Sequence, residues 1–230
     1  MSSGKLGFCG ALLVATLLHG AMARLAAAPA QHEAEGMDAS EALALLKKGN
    51  WRFYSAPFTN GKPVETRRAD TCQAQHPFAV IVGCADSRTA PELVFDQNLG
   101  DLFVVRAAGN LLDDYGLGSL EYAVEHLGTR LIVVLGHERC GALQAALAAA
   151  EAPGHVGALL RDLQPAVTRG KAMPGDALAN AIHANAEQVA EQIRHECGFG
   201  EAAAATQVIA AYYDLDTGEI EWPAEDAASR

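Results

Sequence analysis

Two short apolar runs, Phe78-Ala79-Val80-Ile81-Val82 and Leu131-Ile132-Val133-Val134-Leu135, constrain this chain more than any other feature. Each run is β-branched and ends in a glycine, Gly83 or Gly136, and each glycine is followed at once by a metal-binding side chain, Cys84 or His137. Continuous apolar runs of this length, bounded by glycine, read as strands buried on both faces of a parallel sheet. Ligands bind at the carboxyl ends of neighbouring strands in such sheets. Two strands can therefore carry side chains that are distant in sequence to one point.

The rest of the chain supports that reading. From Phe78 onward strand and helix patterns alternate. Strands are predicted over 78–83, 102–106, 131–136 and 207–213, with a turn at Asp216-Thr217-Gly218 and a short edge strand ending near Trp222. Helices are predicted over 90–97, 116–127, 140–150, 155–169 and 176–197. An N-terminal helix opens after Asp38, with Glu41 completing a capping-box pattern. It carries Leu43, Leu46 and Phe53 on one stripe. Residues 55–77 read as loop and a short helix. The predicted fold is one α/β domain over 38–230, a mostly parallel central sheet flanked by helices with an N-terminal helical arm. There is no internal repeat.

The first 23 residues stand apart. Lys5 gives a weakly positive start, Leu6 to Leu18 is mostly apolar, and Ala21-Met22-Ala23 has a small-x-small cleavage pattern. This reads as a secretory signal peptide, followed by an Ala-rich linker over 24–37. An uncleaved anchor is the competing reading, against which stand the short run and its interrupting glycines. Cleavage after Ala23 places the mature protein in the periplasm or outside the cell, with no membrane segment. The whole chain has 17 Lys and Arg against 28 Asp and Glu, a net charge of −11. Loss of Lys5 with the leader takes it to −12. Such acidity argues against binding nucleic acid or anionic lipid. Four cysteines remain after cleavage. Cys72 and Cys197 either pair in an oxidising compartment or stand as two separate thiols.

Cys84 and Cys140 have a different use. Cys84-Ala85-Asp86-Ser87-Arg88 ends one strand and His137-Glu138-Arg139-Cys140 ends another, with 52 residues between Cys84 and His137. Two thiolates and an imidazole suit zinc and leave a fourth position open. Either string alone is a weak signal; both at strand ends are a strong one.

Here the chain resembles the β-class carbonic anhydrases over roughly residues 40 to 222. The likeness runs through Pro91-Glu92-Leu93-Val94-Phe95-Asp96-Gln97 and Leu99-Gly100-Asp101-Leu102-Phe103-Val104-Val105-Arg106. It continues in Gly118-Ser119-Leu120-Glu121-Tyr122-Ala123-Val124, Gly136-His137-x-x-Cys140-Gly141 and Tyr212-Tyr213-Asp214-Leu215-Asp216-Thr217-Gly218. Asn98 and Thr89-Ala90 depart from the family pattern. The resemblance implies that Cys84, His137 and Cys140 hold Zn2+ and that a zinc-bound hydroxide attacks carbon dioxide to give bicarbonate and a proton. It makes Asp86 and Arg88 a catalytic dyad. In an open form Arg88 pins Asp86, which orients the hydroxide; in a closed form Asp86 is the fourth zinc ligand. An ordinary ion pair is the alternative for the two.

The resemblance also implies substrate-binding roles for Gln75, Phe103, Ala108, Tyr122 and the Gly141 amide, in a homodimer or homotetramer whose pocket lies at a subunit boundary and whose N-terminal helix, around Leu43 to Phe53, lies on the partner subunit and needs it to cover its apolar stripe. Gln75 is otherwise a loop residue, and Phe103 and Tyr122 otherwise fit core faces. Of the remaining histidines none is singled out as a proton relay. Two rival functions share the residues: hydrolysis of carbon disulfide or carbonyl sulfide on the same fold, and a non-enzymatic zinc- or bicarbonate-binding module.

Overall fold

Alternate residues of the buried strands supply the two faces of one sheet. The computed structural model describes residues 36–55, 64–148 and 151–223. The predicted leader and all but the last two residues of the linker lie outside them. Strands β1 (Ala79–Cys84), β2 (Leu102–Ala107), β3 (Leu131–His137), β4 (Gln207–Tyr213) and β5 (Ile220–Glu221) form a sheet in the order β2-β1-β3-β4-β5. The first four are parallel and β5 is antiparallel to β4. All six residues of β1 and all seven of β3 are buried, as their unbroken apolar runs require.

Ala79, Ile81, Leu131, Val133 and Leu135 face one layer, where helix α1 (Ala39–Ser55) and the short α3 (Pro91–Val94) pack. Val80, Val82, Ile132 and Val134 face the other, against α4 (Asp114–Glu125) and the long α8 (Ala177–Glu196). Helices α5 (Gly141–Leu147), α6 (Gly154–Asp162) and α7 (Gln164–Ala172) build a third apolar cluster with α8 around Cys84 and Cys140. Helix α2 (Val64–Thr71) has no buried residue. Asp113 caps α4 by accepting from the Gly116 amide, and Asp176 caps α8 from Ala179. Among the described residues no helix is long and apolar enough to cross a membrane.

Three sequence expectations change. The helix expected over 155–169 is two helices, α6 and α7, broken at Leu163, because Pro165 has no amide hydrogen to continue the α6 ladder and is tolerated only in the first turn of a new helix. The helix expected over 90–97 is a single turn, stopped where Asp96 takes a left-handed φ of 46°. The N-terminal helix is not a free arm needing a partner to cover its stripe. Ala39, Ala42 and Leu46 are buried against this chain's own sheet, with Leu43 and Phe53 packed beside them. Its outer face keeps Leu45, Trp51 and Tyr54 exposed. Cys72 and Cys197 are free thiols, Cys72 exposed, and burial pushes Cys197 up to about 11.

Helix α1 is fixed by polar contacts as well as by its stripe. Buried Asn50 donates to the carbonyls of Val94 (3.2 Å) and Gly218 (2.9 Å) and accepts from the Ile220 amide (3.1 Å). Arg52 pairs with Asp96 beside it. At Gly49 the helix touches the end of α3 so closely that a Cβ would stand 1.8 Å from the Phe95 carbonyl oxygen. Gly49→Ala is therefore predicted to destabilise the protein by about 1–3 kcal/mol despite the better helix propensity of alanine. A urea midpoint unchanged or raised by this substitution would show that α1 is not seated on α3 as described.

Candidate metal centre

The centre sits where the sheet opens. Strands β1 and β3 are adjacent, and Gly83 and Gly136 lead directly into Cys84 and His137 at their carboxyl ends. Cys140 follows after a turn in which Arg139 adopts a φ of 49°, and its backbone opens α5. Cys84, His137 and Cys140 are all buried, at 4%, 1% and 1% exposure. Their ligand atoms lie within 4.8 Å of one another.

The chemistry of the three groups fits a cation. The sulfurs of Cys84 and Cys140 are 4.0 Å apart; two thiolates on a tetrahedral zinc stand about 3.8 Å apart at Zn–S distances of about 2.3 Å. His137 Nδ1 lies 2.9 Å from the Glu138 carbonyl and, as its donor, leaves Nε2 unprotonated. That Nε2 is buried and has no hydrogen-bond partner, a costly state unless something in the cluster takes its lone pair. The contact between the sulfurs lowers the Cys84 thiol and raises that of Cys140. The Gly109 amide, 3.4 Å from Cys84 Sγ, adds to the preference for a thiolate at Cys84. A divalent cation neutralises both sulfurs at once.

Asp86 and Arg88 stand at the side of this cluster. Arg88 forks onto the carboxylate, Nε to Oδ1 at 2.9 Å and Nη2 to Oδ2 at 2.7 Å, and its amide donates to Oδ1 as well. These bonds hold Asp86 well below the ordinary carboxylate range, so it is ionised throughout mildly acid and neutral pH. Its Oδ2 is 4.0 Å from His137 Nε2. Arg88 also reaches the Arg139 carbonyl at 3.3 Å, which ties the two motif loops together.

Several residues that the sequence did not single out for this site support it. Arg106 at the end of β2 donates to the carbonyls of Cys84 (2.7 Å) and Asp86 (2.6 Å). Thr89 donates its hydroxyl to the Asp86 carbonyl at 3.0 Å. Arg139 is held by both oxygens of Asp216, and Glu138 accepts from Arg139 and from the Leu215 amide. The turn after β4 thus braces the loop that carries His137 and Cys140. No local sequence signal marks most of these contacts, since they end on backbone groups or on a side chain 77 residues away.

The five expected substrate residues divide. Ala108 opens the 3-10 turn Ala108–Asn110, whose Gly109 touches Cys84. Gly141 starts α5 with open space where a side chain would stand. Gln75, Phe103 and Tyr122 are not brought to the cluster by this chain alone. Gln75 is exposed in the loop before β1, and Pro77, two residues on, contacts Thr129 before β3. That is the opposite end of the sheet from Cys84, about 16 Å along the strand. Phe103 packs on the α4–α8 layer, and Tyr122 is 40% exposed beside His126.

A family model described as carbonic anhydrase matches residues 79–220, the span that holds every element from β1 to the first residue of β5. A carbonic anhydrase of Mycolicibacterium smegmatis is 41% identical over 184 residues, covering 76% of this chain and 89% of that protein. Carbonic anhydrase 2 of Mycobacterium tuberculosis is 51% identical over 118 residues, 51% of this chain and 57% of that one. Among solved structures, the Coccomyxa β-carbonic anhydrase in complex with acetazolamide superposes with a TM-score of 0.61 at 27% identity, over 69% of this chain and 77% of that chain. A tetrameric β-carbonic anhydrase of Sordaria macrospora shares the fold, with a TM-score of 0.59 at 21% identity over 69% of this chain and 89% of that one. Sequence span, relatives and fold agree, and the chain belongs to the β-class carbonic anhydrase family.

Proposed function

We propose that this protein is a zinc enzyme that interconverts carbon dioxide and bicarbonate. The observation that carries the proposal is the buried Cys84–His137–Cys140 donor set with the ionised Asp86–Arg88 pair at its side. The ligand atoms would be the two sulfurs and His137 Nε2. When bound, zinc lowers the pKa of a water molecule to about 7 and so supplies a nucleophile at neutral pH.

The residues of this chain then orient the attack. Asp86 is acceptor-only while ionised, so a water held between it and the donor set would donate a hydrogen bond to the carboxylate and turn a lone pair away from it. Arg88 keeps Asp86 in that state and holds it off the ligand cluster, as in the open form. Without the fork, Asp86 is free to swing onto the metal position and occupy it. The Gly141 amide and the small side chain of Ala108 are proposed to bound the substrate side of the pocket. Gln75, Phe103 and Tyr122 would complete the pocket of a neighbouring subunit, because they lie away from their own cluster. The tetrameric relative from Sordaria macrospora is in keeping with such an assembly, as is the exposed outer face of α1. Export through the predicted leader completes the proposal: the mature chain, beginning near Arg24, works in the periplasm or outside the cell.

Two sets of substitutions should separate ligands from orienting groups. Cys84→Ser, His137→Ala and Cys140→Ser are expected to lose both zinc and carbon dioxide hydration, since three protein ligands leave none to spare. Asp86→Ala and Arg88→Ala are expected to keep stoichiometric zinc while turnover falls by about a hundredfold or more. Metal content per chain and stopped-flow hydration rates decide. Zinc retained by the first set, or full turnover in the second, removes the assignment.

The shared pocket is tested by mixing chains. Gln75→Ala and Cys84→Ser homo-oligomers should each be weakly active or inactive. Hybrids refolded from both should regain activity, because one site in each pair then combines an intact Cys84 with an intact Gln75 from its neighbour. A fully active wild-type monomer by light scattering would contradict the arrangement. For export, intact mass of the native product should correspond to a start near Arg24; a mass retaining residues 1–23 in the soluble cytoplasm would count against it.

A further inference from the structure

The ligand-bearing strands part company just where the ligands begin. The β1–β3 ladder runs from Val80 opposite Ile132 to Gly83 opposite Leu135, and no pairing beyond it is present among the described residues. On their outer sides both strands stay paired further, Cys84 with Ala107 of β2 and His137 with Tyr213 of β4. The gap that admits a metal is therefore also a place where the sheet itself no longer sets the separation of Cys84 and His137.

One side chain spans that gap. Asn110 is buried, at 2% exposure, and its Nδ2 donates to the carbonyls of both Val82 (3.2 Å) and Leu135 (2.6 Å). These carbonyls lie two residues before Cys84 and two before His137. The two hydrogens of one planar amide group thus grip both strands at matching positions. Asn110 reaches them from a strained backbone: Gly109 and Asn110 are both left-handed, at φ 69° and 60°. A left-handed residue persists only where its surroundings hold it. Here the hold is Asn185 of α8, which donates to the Gly109 carbonyl at 2.7 Å, while the Gly109 amide faces Cys84 Sγ.

We infer that Asn110 is a positioning residue for the metal centre: its amide fixes the distance between the ends of β1 and β3, and so the bite of Cys84 and His137 on the ion. The inference rests on the metal reading given under Proposed function. It assigns Asn110 no contact with substrate. Groups behind a metal's ligands typically change its affinity by about 10–100-fold when removed, and Asn110 should fall in that range.

The test uses the full chain with Asn110→Gly, which accepts the left-handed backbone and loses both donors. Asn50→Ala is the control, because Asn50 is also buried and also holds two carbonyls, but away from the centre. Zinc affinity is measured by competition with a chromophoric chelator. Ligand geometry is read from the visible and charge-transfer absorption of the cobalt(II)-loaded protein, and stability from the denaturant midpoint of the zinc-free protein. Asn110→Gly is expected to bind zinc about 10–100-fold more weakly, with an altered cobalt spectrum. Asn50→Ala is expected to lower the midpoint and leave affinity and spectrum unchanged. Wild-type affinity and spectrum in Asn110→Gly overturn the inference, as does an equal loss of zinc in Asn50→Ala at equal loss of stability. If Asn110→Gly does not fold, Asn110→Ser, which keeps one donor, replaces it: a smaller loss with an altered spectrum supports the role, and wild-type values overturn it. A wild-type chain that takes up no zinc overturns the metal reading itself, and is told apart from the other outcomes by being measured first.

Discussion

Everything around the centre follows from the cost of burying two thiols and an imidazole together. None of the three can satisfy the others fully: the sulfurs share a contact at 4.0 Å, and His137 Nε2 has no partner. A folded protein keeps such a cluster only if something balances the exposed lone pairs and negative charge. The surrounding structure holds the cluster in place, with three donor atoms close enough together to share one cation. Arg106 and Thr89 hold the Cys84–Asp86 loop by its carbonyls, Asp216 and Glu138 hold Arg139 before Cys140, and Arg88 bridges the two loops. Most of these supports end on backbone groups or on one another, and none of them takes up the side chains of Cys84, His137 and Cys140.

The position of charge within this frame is selective. Arg106 and Arg88 both sit beside Asp86, yet they do different work. Arg106 binds main-chain oxygens and fixes where the loop runs. Arg88 binds the carboxylate itself and fixes what that carboxylate is free to do. A bidentate fork suits the second task, since its planar geometry sets the direction of both carboxylate oxygens at once.

The sheet was legible in the sequence because its strands are buried on both sides. The runs before Cys84 and His137 needed no alternation to be recognised, and their ends fell within one residue of β1 and β3. Cys84 and His137, which the structure brings together with Cys140, were legible for the same reason, as residues placed immediately past those ends. Reading failed where local signals compete or contacts are long-range. Pro165 broke a helix whose apolar spacing continued across it. The stripe on α1 was real, but spacing alone does not say whether it covers its own sheet or a neighbour's. Asn110 carried no signal of its place, because its two carbonyl partners lie 28 and 25 residues away. A side chain that bonds to backbone leaves no complementary residue type to find.

Asn50 gives the chain a temporal order. Its bonds to Gly218 and Ile220 close loops of 168 and 170 residues, and contacts that distant in sequence form late because of the chain entropy they must overcome. Helix α1 is the first of the described elements, and two of its polar bonds wait for the last. Until the final hairpin has been synthesised, Asn50 lacks two of its three backbone partners. The apolar stripe of α1 can find β1 and β3 earlier, but its polar anchoring is complete only once the last strand is in place.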